Sequence, residues 1–186
     1  MIAGSARGRR LVAPAGDATR PTADRVREAT FNALHSLGAV DDARVLDLFA
    51  GSGALGIEAL SRGARHATFV DRDRRAVAAI EANLAATGLA DAADVRAESV
   101  ERVLDEAVAK GERWTLALVD PPYAFDDWDV LLGALPADLV VVESGRPVVV
   151  PAGWRAIRER RYGATLVAIL RPQPPAGAPR GPDLPE

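Results

Sequence analysis

The sequence predicts an α/β fold with a mostly parallel seven-stranded sheet that ends in an antiparallel hairpin. Short apolar segments alternate with segments of helical periodicity from residue 44 to residue 143, and this alternation is typical of a parallel sheet covered by helices on both faces. The last two apolar segments, Trp154–Arg160 and Ala164–Leu170, are separated by only three residues. A connection of that length joins antiparallel strands, because parallel strands need a longer crossover.

The predicted elements follow an N-terminal segment, Ile2–Val12, which glycines interrupt and which we expect to form a short basic arm or hairpin. The first helix is predicted at Ala23–Leu37, where apolar residues recur at helical spacing. Strands before the hairpin are expected at Arg44–Phe49, Ala67–Val70, Asp94–Ala97, Thr115–Val119 and Leu139–Glu143. Helices between them are expected at Ala54–Ser61, Arg74–Ala86, Val100–Ala109 and Asp126–Leu135.

The end of the chain, residues 172–186, is rich in proline and glycine. Such a segment buries too little apolar surface to offset the entropy lost on ordering, so we expect it to be disordered. The predicted organisation is a basic arm or hairpin at residues 1–23, one folded domain at residues 24–171 and a tail at residues 172–186.

Composition excludes several classes of function. The chain has 186 residues, of which 48% are hydrophobic, enough for one domain with a substantial core. It has no cysteine and two histidines, so we expect no disulfide framework and no bound metal. No apolar run approaches the ~20 residues that span a bilayer, and no signal peptide is recognisable. We therefore expect a cytoplasmic protein without membrane contact.

Positive charge is concentrated at the start of the chain. The net charge is −3, but residues 1–27 contain six arginines and two aspartates, so this segment is positive and the remainder is negative. Such a segment suits contact with nucleic-acid phosphates, although a solvated charged face is the common alternative. The candidate phosphate-binding residues are Arg7, Arg9, Arg10, Arg20 and Arg25.

A glycine-rich turn follows the first strand. Gly51, Gly53 and Gly56 match the pattern G-x-G-x-x-G between a strand and a helix, which indicates a Rossmann-like nucleotide-binding turn. The pattern alone fits either a dinucleotide or S-adenosylmethionine. Asp47 stands four residues before Gly51, where a carboxylate would repel a pyrophosphate and attract a cationic amine. This favours S-adenosylmethionine.

Further candidates for cofactor binding lie at the ends of the next two strands. Asp71 follows the second strand, twenty residues beyond Gly51, at the position from which an acidic residue accepts hydrogen bonds from ribose hydroxyls. A helix N-cap is the alternative role, which Asp73 can fill instead. Glu98 follows the third strand and is a candidate for the adenine. The complete set is Asp47, Phe49, Gly51, Ser52, Gly53, Asp71, Arg72, Glu98 and Ser99.

The segment Asp120-Pro121-Pro122-Tyr123 directly follows the apolar strand Thr115–Val119. Two prolines make such a loop rigid and remove two N–H donors, so it presents acceptors, in the Asp120 carboxylate and the Pro121 carbonyl. These acceptors suit a planar NH2 group, and Tyr123 can stack on the ring that carries it. The alternative is a proline-rich turn that ends a buried strand. The candidate catalytic residues are Asp120, Pro121, Pro122 and Tyr123.

Together these motifs resemble the bacterial 16S rRNA (guanine-N2)-methyltransferases of the RsmD type. The cofactor and loop motifs, Asp47–Ala64, Phe69–Asp71 and Asp120–Tyr123, are shared by many methyltransferases of amino groups. The segments Gly4–Leu11 and Arg20–Asn32 are the more specific part. The resemblance implies a class I S-adenosylmethionine-dependent methyltransferase that modifies the N2 amine of the guanine numbered 966 in 16S rRNA. We further expect a monomer whose partner is 16S rRNA in a small-subunit particle or an assembly intermediate.

Other functions use parts of the same pattern. Methylation of adenine N6 in DNA or RNA, or of a protein glutamine amide, requires the same chemistry, although aspartate rather than asparagine at position 120 argues against the glutamine enzymes. A nicotinamide-dependent oxidoreductase would use the glycines but leaves Asp47 and the Asp120–Tyr123 loop unexplained. A non-catalytic RNA-binding module would not need Asp47 and Asp120.

Overall fold

A computed structural model of the protein describes residues 1–14 and 21–173, with the backbone alone described for residues 21–23. The helices are α1 Pro21–Ser36, α2 Ala54–Ser61, α3 Arg74–Thr87, α4 Val100–Lys110 and α5 Trp128–Ala134. The strands are β1 Arg44–Leu48, β2 His66–Val70, β3 Ala93–Arg96, β4 Trp114–Val119, β5 Ala137–Ser144, β6 Trp154–Tyr162 and β7 Thr165–Pro172. A short 3-10 turn, Ala90–Ala92, precedes β3.

The strands form one sheet in the order β3-β2-β1-β4-β5-β7-β6. Strands β1 to β5 are parallel, and β7 runs antiparallel to both β5 and β6. The predicted seven-stranded sheet with a terminal antiparallel hairpin is therefore confirmed. The hairpin is longer than predicted, since Tyr162 pairs with Thr165 and Trp154 pairs with Pro172. Pro172, which was assigned to the tail, thus ends β7, and residues 174–186 lie outside the described residues.

Two hydrophobic clusters cover the two faces of the sheet. Helices α1, α2 and α3 pack on one face through residues such as Phe31, Ile57 and Ile80, all fully buried. Helices α4 and α5 pack on the other through residues such as Val103 and Leu132. The central strands are buried on both faces. Their sequences are therefore continuous apolar runs and do not alternate between apolar and polar residues.

The N-terminal segment folds onto α2 and forms turns rather than the paired strands of a hairpin. The N–H groups of Ile2 and Ala3 donate to the two carboxylate oxygens of Glu58, at 3.0 and 3.1 Å. Gly4 contacts α2 so closely that a Cβ there would lie 1.6 Å from the Ser61 carbonyl oxygen. The segment is therefore attached to the folded domain at its start. None of the helices in the described part of the chain is long and apolar enough to cross a membrane.

Candidate active site

The centre of the sheet carries the crevice in which the candidate residues meet. The chain continues from β1 through α2 to β2 on one side, and from β4 through α5 to β5 on the other. Ligands of doubly wound sheets bind beyond the carboxyl ends of the strands, where the connections diverge in this way. Asp47, Asp71 and Asp120 all lie at this edge, at the ends of β1, β2 and β4.

The glycine turn has the backbone geometry that its sequence predicts. Gly51 and Gly53 adopt left-handed φ angles of 57° and 75°, which residues with a Cβ rarely adopt. Gly53 is the N-cap of α2. Gly56 serves packing instead, since a Cβ there would lie 2.3 Å from Phe69 Cε1 and 2.9 Å from Asp47 Oδ2. Glycine at this position lets α2 approach β1 and β2 closely.

Asp47 lies beneath the glycine turn and is only 1% exposed. Its Oδ2 accepts a hydrogen bond from the Gly56 N–H at 2.8 Å. Burial raises the pKa of Asp47 well above its ordinary value, the Gly56 bond opposes that rise, and the charges of Asp120 and Asp71 add to it. Asp47 thus joins β1 to the start of α2, and its contact with a cationic cofactor amine stays a prediction.

Asp71 holds the glycine turn from the neighbouring strand. Its Oδ2 accepts from the Gly51 N–H and its Oδ1 from the Asp73 N–H, both at 2.9 Å. Asp73 is the N-cap of α3, where its Oδ1 accepts from the Arg75 N–H at 2.9 Å. The alternative role considered for Asp71, that of a helix cap, therefore belongs to Asp73. Asp71 is left half-buried in the crevice.

Three other candidates for cofactor binding surround the turn. Phe49 has a positive φ of 56°, which is uncommon for a residue with a side chain. The Ser52 carbonyl accepts a hydrogen bond from Asn83 Nδ2 at 2.9 Å, which ties the turn to α3. Arg72 is exposed beside Asp71. All three lie at the rim of the crevice or within the turn itself.

Glu98 and Ser99 are engaged in local structure. The Glu98 carboxylate pairs with Arg96 at 3.1 Å and with Arg102 at 2.8 Å. Ser99 is the N-cap of α4, with its Oγ accepting from the Arg102 N–H at 3.3 Å. The Glu98 carboxylate therefore holds two arginines at the end of β3, and its contact with the adenine of the cofactor stays a prediction.

The Asp120–Tyr123 loop turns sharply at the end of β4. The Phe125 N–H donates to the Pro122 carbonyl at 2.8 Å, whereas no described residue donates a hydrogen bond to the Pro121 carbonyl or the Asp120 carboxylate. Pro121 is buried, and Tyr123 is 68% exposed. The loop thus presents two free acceptors and an exposed aromatic ring, as its sequence predicts.

An aromatic contact joins this loop to the glycine turn. The Phe125 ring lies edge-on to Phe49, with centroids 5.5 Å apart, and edge-on to Trp128, with centroids 5.0 Å apart. Such pairs are worth about 0.5–1.5 kcal/mol beyond their burial. Two loops that are distant in sequence are therefore fixed relative to each other across the crevice.

Glu143 is a site residue that the sequence analysis missed. It lies near the end of β5, the strand next to β4, and its pKa is raised to about 8 by burial and by the charges of Asp120 and Asp47, against the lowering effect of Arg27. The pKa of Asp120 is raised to about 6. Asp120 as a whole residue is exposed, but protein atoms around its carboxyl group desolvate it and so raise its pKa. A glutamate at a strand end was the only sequence signal.

A shallow recess of about 200 Å³ opens beside Asp120. Its lining combines the loop after β4 with the segment after β5, and comprises Pro121, Pro122, Tyr123, Phe125, Trp128, Glu143, Ser144, Gly145 and Arg146. Gly145 makes room for the Tyr123 ring, because a Cβ there would lie 2.9 Å from Tyr123 Cδ1. The recess therefore offers a flat aromatic surface, backbone acceptors and the Glu143 carboxyl group, and Asp120 directly precedes its lining residue Pro121.

Four of the five candidate phosphate-binding arginines lie in the described part of the chain, and all four are exposed. Arg7, Arg9 and Arg10 are exposed on the segment attached to α2, and Arg25 is exposed on α1. Arg20 lies outside the described residues. Arg27, by contrast, points inward and pairs with Asp24 at 2.9 Å and with Glu58 at 3.8 Å, so it does not contribute to a basic surface.

The fold and the crevice define the chain as a member of the class I methyltransferase fold. Comparison then gives its family: the chain belongs to the RsmD family, whose model, described as "Conserved hypothetical protein 95", matches residues 1–171. This confirms the family that the sequence motifs resemble.

Two curated relatives and one solved structure support this assignment. The chain is 39% identical to a "Putative rRNA methyltransferase YlbH" of Bacillus subtilis, covering 92% of this chain and 97% of the relative. It is 38% identical to "Ribosomal RNA small subunit methyltransferase D" of Escherichia coli, over 92% and 88% of the two chains. A "Putative methyltransferase yhhF" of Escherichia coli superposes with a TM-score of 0.78 at 37% identity, over 93% and 97%.

A more distant structure shares the fold alone. It is a putative methyltransferase in complex with SAH, 15% identical to this chain, with a TM-score of 0.68 over 82% of this chain and 50% of the other. The predicted fold class, including its class I methyltransferase character, is confirmed by the sheet topology together with the 37% identical structure from Escherichia coli.

Proposed function

We propose that the protein transfers a methyl group from S-adenosylmethionine to the exocyclic N2 amine of a guanine in small-subunit rRNA. The observation that carries the proposal is the position of Asp120. Its free carboxylate and the free Pro121 carbonyl lie at the topological switch point of a methyltransferase fold, beside an exposed tyrosine. The names of the relatives support rRNA as the substrate class.

The glycine turn fits S-adenosylmethionine. A Cβ on Gly51 would meet no atom closer than the Phe49 carbonyl oxygen at 3.9 Å, so the backbone there faces open space. Asp71, half-buried beside Gly51, retains lone pairs for ribose hydroxyls after accepting its two backbone N–H groups. The carboxyl groups of Asp71 and Asp120 favour a sulfonium and an amine over a pyrophosphate. A cationic amine beside the buried Asp47 would in turn favour the ionised form of that carboxyl group. When bound, the cofactor supplies an electrophilic methyl group.

The residues of the loop after β4 position the amine and stabilise its developing charge. The lone pair of a guanine N2 is delocalised into the ring, so the nitrogen attacks only when it is aligned with the methyl carbon. Hydrogen bonds from the amine to Asp120 and Pro121 fix that alignment, and positioning of this kind is worth up to ~7–11 kcal/mol in favourable systems. The nitrogen becomes cationic as the new bond forms, so the bond to ionised Asp120 strengthens in the transition state.

Tyr123 accounts for recognition of a base rather than a peptide. Its ring is exposed at the mouth of the recess and is packed against Gly145, and stacking of a base on such a ring is worth ~1–3 kcal/mol. A guanine within a duplex cannot bring N2 into the recess, so the target must lie in a loop or be flipped out. We propose a monomeric, cytoplasmic enzyme whose substrate is 16S rRNA in a small-subunit particle or assembly intermediate.

The proposal is tested by incubating the protein with radiolabelled S-adenosylmethionine and small-subunit particles that lack the modification. Label is expected in 16S rRNA, and the Asp120→Ala variant is expected to incorporate label at least 100-fold more slowly. Label in ribosomal protein, in DNA added as a competitor, or in no macromolecule would overturn the proposal.

A further inference from the structure

A second recess lies outside the crevice, between α1 and the edge strand β6. It has about 220 Å³ of empty space, which includes space open to solvent, and is lined by Ala29, Thr30 and Ala33 of α1 and by Arg158, Arg160, Tyr162, Val167 and Ile169 of the hairpin. Small residues on α1 leave the space open. In the register of the hairpin, Arg160 lies opposite Val167 and Arg158 opposite Ile169, so both arginines share the face of the sheet on which α1 packs. We call this recess the α1–β6 groove.

The groove belongs to a strongly basic hairpin. Residues 154–172 contain five arginines and one glutamate. The glutamate, Glu159, lies opposite Ala168 and so faces the other side of the sheet. Within residues 1–14 and 21–173, none of the hairpin arginines forms an ion pair or a side-chain hydrogen bond, whereas Arg96, Arg102 and Arg113 elsewhere all pair with carboxylates. The hairpin charge is therefore available to an anionic partner.

The inner wall of the groove contains a polar group without a partner. Thr30 is 2% exposed, and its Oγ1 forms no hydrogen bond with the described part of the chain. A buried hydroxyl without a partner costs about 1–3 kcal/mol, so such groups are uncommon in native proteins. A hydroxyl can donate to an anion by rotating about its C–O bond. Thr30 and the two arginines together make a site for an anion with several oxygens.

The groove is aligned with the active-site edge of the sheet. Glu143 on β5 lies opposite Val167 on β7, which lies opposite Arg160 on β6. Neighbouring strands are about 4.8 Å apart, so the Arg160 backbone lies roughly 10 Å from that of Glu143. A chain bound along this row would therefore extend from the groove to the recess beside Asp120.

From this geometry we propose that the α1–β6 groove binds a phosphodiester group of the RNA substrate, with Arg158 and Arg160 contacting the anionic oxygens and Thr30 donating a hydrogen bond. The inference rests on the proposed function, because it takes RNA as the substrate. It adds a phosphate site on the hairpin side of the crevice, separate from the arginines of the N-terminal segment. Arginine suits this role because its planar fork matches phosphate oxygens.

The test compares two double variants with the same change of charge. Arg158→Ala with Arg160→Ala removes the groove cations. Arg65→Ala with Arg113→Ala removes two exposed arginines near the starts of β2 and β4, at the opposite edge of the sheet. Affinity for a 16S rRNA transcript and for unmodified small-subunit particles is measured as a function of salt. The log–log slope of the groove variant is expected to decrease by roughly 0.7–0.9, the contribution of one neutralised phosphate. The slope of the control is expected to remain that of the wild type.

The Thr30→Val variant distinguishes a role of the Thr30 hydroxyl in RNA binding from a purely structural role. Valine keeps the shape of threonine and removes the hydroxyl, so RNA affinity is expected to fall about fivefold, while the melting temperature stays equal or rises because an unpaired polar group is lost. A purely structural threonine would instead leave RNA affinity unchanged.

Several results would overturn the inference, and they differ from a failure of the proposed function. One such result is that the wild type methylates rRNA while the groove variant keeps the wild-type RNA affinity and salt slope. This would show that the groove does not bind RNA, and it would leave the proposed function intact. If the groove variant lost affinity for particles but not for the transcript, the groove would bind a ribosomal protein rather than RNA. If the wild type neither transferred methyl groups to RNA nor bound RNA, both the proposed function and the proposed phosphate site in the groove would be wrong.

Discussion

Asp120 and Glu143 lie at the carboxyl ends of two adjacent parallel strands, and the pKa of each is raised. The pKa of Asp120 is about 6 and that of Glu143 is about 8. Desolvation is the cause at Asp120, whereas Glu143 also experiences the negative charge of Asp120. The two carboxyl groups titrate as a coupled pair, which holds one proton at a pH between these two values. In the proposed function, Asp120 accepts hydrogen bonds from the target amine when the charge of the pair lies on its carboxylate.

The rate of methyl transfer is expected to increase as pH rises through about 6. Asp120 accepts hydrogen bonds from the amine most strongly when it is ionised, and it becomes protonated below its pKa of about 6. Single-turnover rates with saturating cofactor and substrate, measured from pH 5 to pH 8, check this. Glu143→Gln is expected to retain a single rise of the rate with pH, because Asp120 is then the only carboxyl group of the pair that titrates. A wild-type rate that does not vary between pH 5 and pH 7 would exclude Asp120 as the titrating group.

Asp120→Ala is expected to reduce the single-turnover rate by about 10²–10³, the usual effect of removing one electrostatic partner of the transition state. Affinity for S-adenosylmethionine, measured by calorimetry, is expected to change little, because the glycine turn and Asp71 are intact. Asp105→Asn is the matched control, since Asp105 is an exposed carboxylate on α4. Equal rates for the two variants would remove Asp120 from the catalytic site.

Asp71→Ala is expected to weaken binding of S-adenosylmethionine by about 1–3 kcal/mol. The change removes the proposed acceptor for the ribose hydroxyls and also releases the Gly51 N–H, which Asp71 holds at 2.9 Å. Asp73→Ala provides the comparison. It removes the N-cap of α3, which costs about 0.5–2 kcal/mol of stability, but should leave cofactor affinity unaltered. Titration calorimetry with both variants distinguishes these effects, and tight NAD binding by the wild type would contradict the cofactor assignment.

Gly56→Ala is expected to destabilise the protein by at least about 1–3 kcal/mol, the usual cost of overpacking a core. The new methyl group would approach Phe69 Cε1 to 2.3 Å and Asp47 Oδ2 to 2.9 Å, which forces α2 away from the sheet. Gly133→Ala in α5 is the control, because a Cβ there meets no atom within 4 Å. That substitution should stabilise the helix by about 0.5–1 kcal/mol. Urea denaturation of both variants measures the two effects, and equal midpoints would contradict this account of Gly56.

Much of the site was predictable because its residues occupy positions that the chain connectivity defines. Parallel strands place their carboxyl ends at one edge of a sheet, so Asp47, Asp71 and Asp120 could be assigned to one crevice from the strand pattern alone. The glycine turn was equally predictable, since left-handed φ angles at Gly51 and Gly53 require glycine.

Other features depend on contacts between distant parts of the chain. The sequence does not reveal that β7 lies between β5 and β6, and this order is what brings Arg160 into line with Glu143. Arg27 belongs to a basic segment by sequence, yet it points inward toward Glu58. The attachment of the N-terminal segment to α2 relies on hydrogen bonds across more than fifty residues, which no local pattern predicts.

The central claim is that the methyl group is transferred to N2 of a guanine in small-subunit rRNA. The most direct measurement is mass spectrometry of nucleosides from 16S rRNA after single-turnover reaction of unmodified particles with deuterium-labelled S-adenosylmethionine. Labelled N2-methylguanosine is expected from one position when the wild type is used. No labelled N2-methylguanosine is expected with the Asp120→Ala variant. Labelled N6-methyladenosine, or label confined to a protein glutamine, would contradict the central claim.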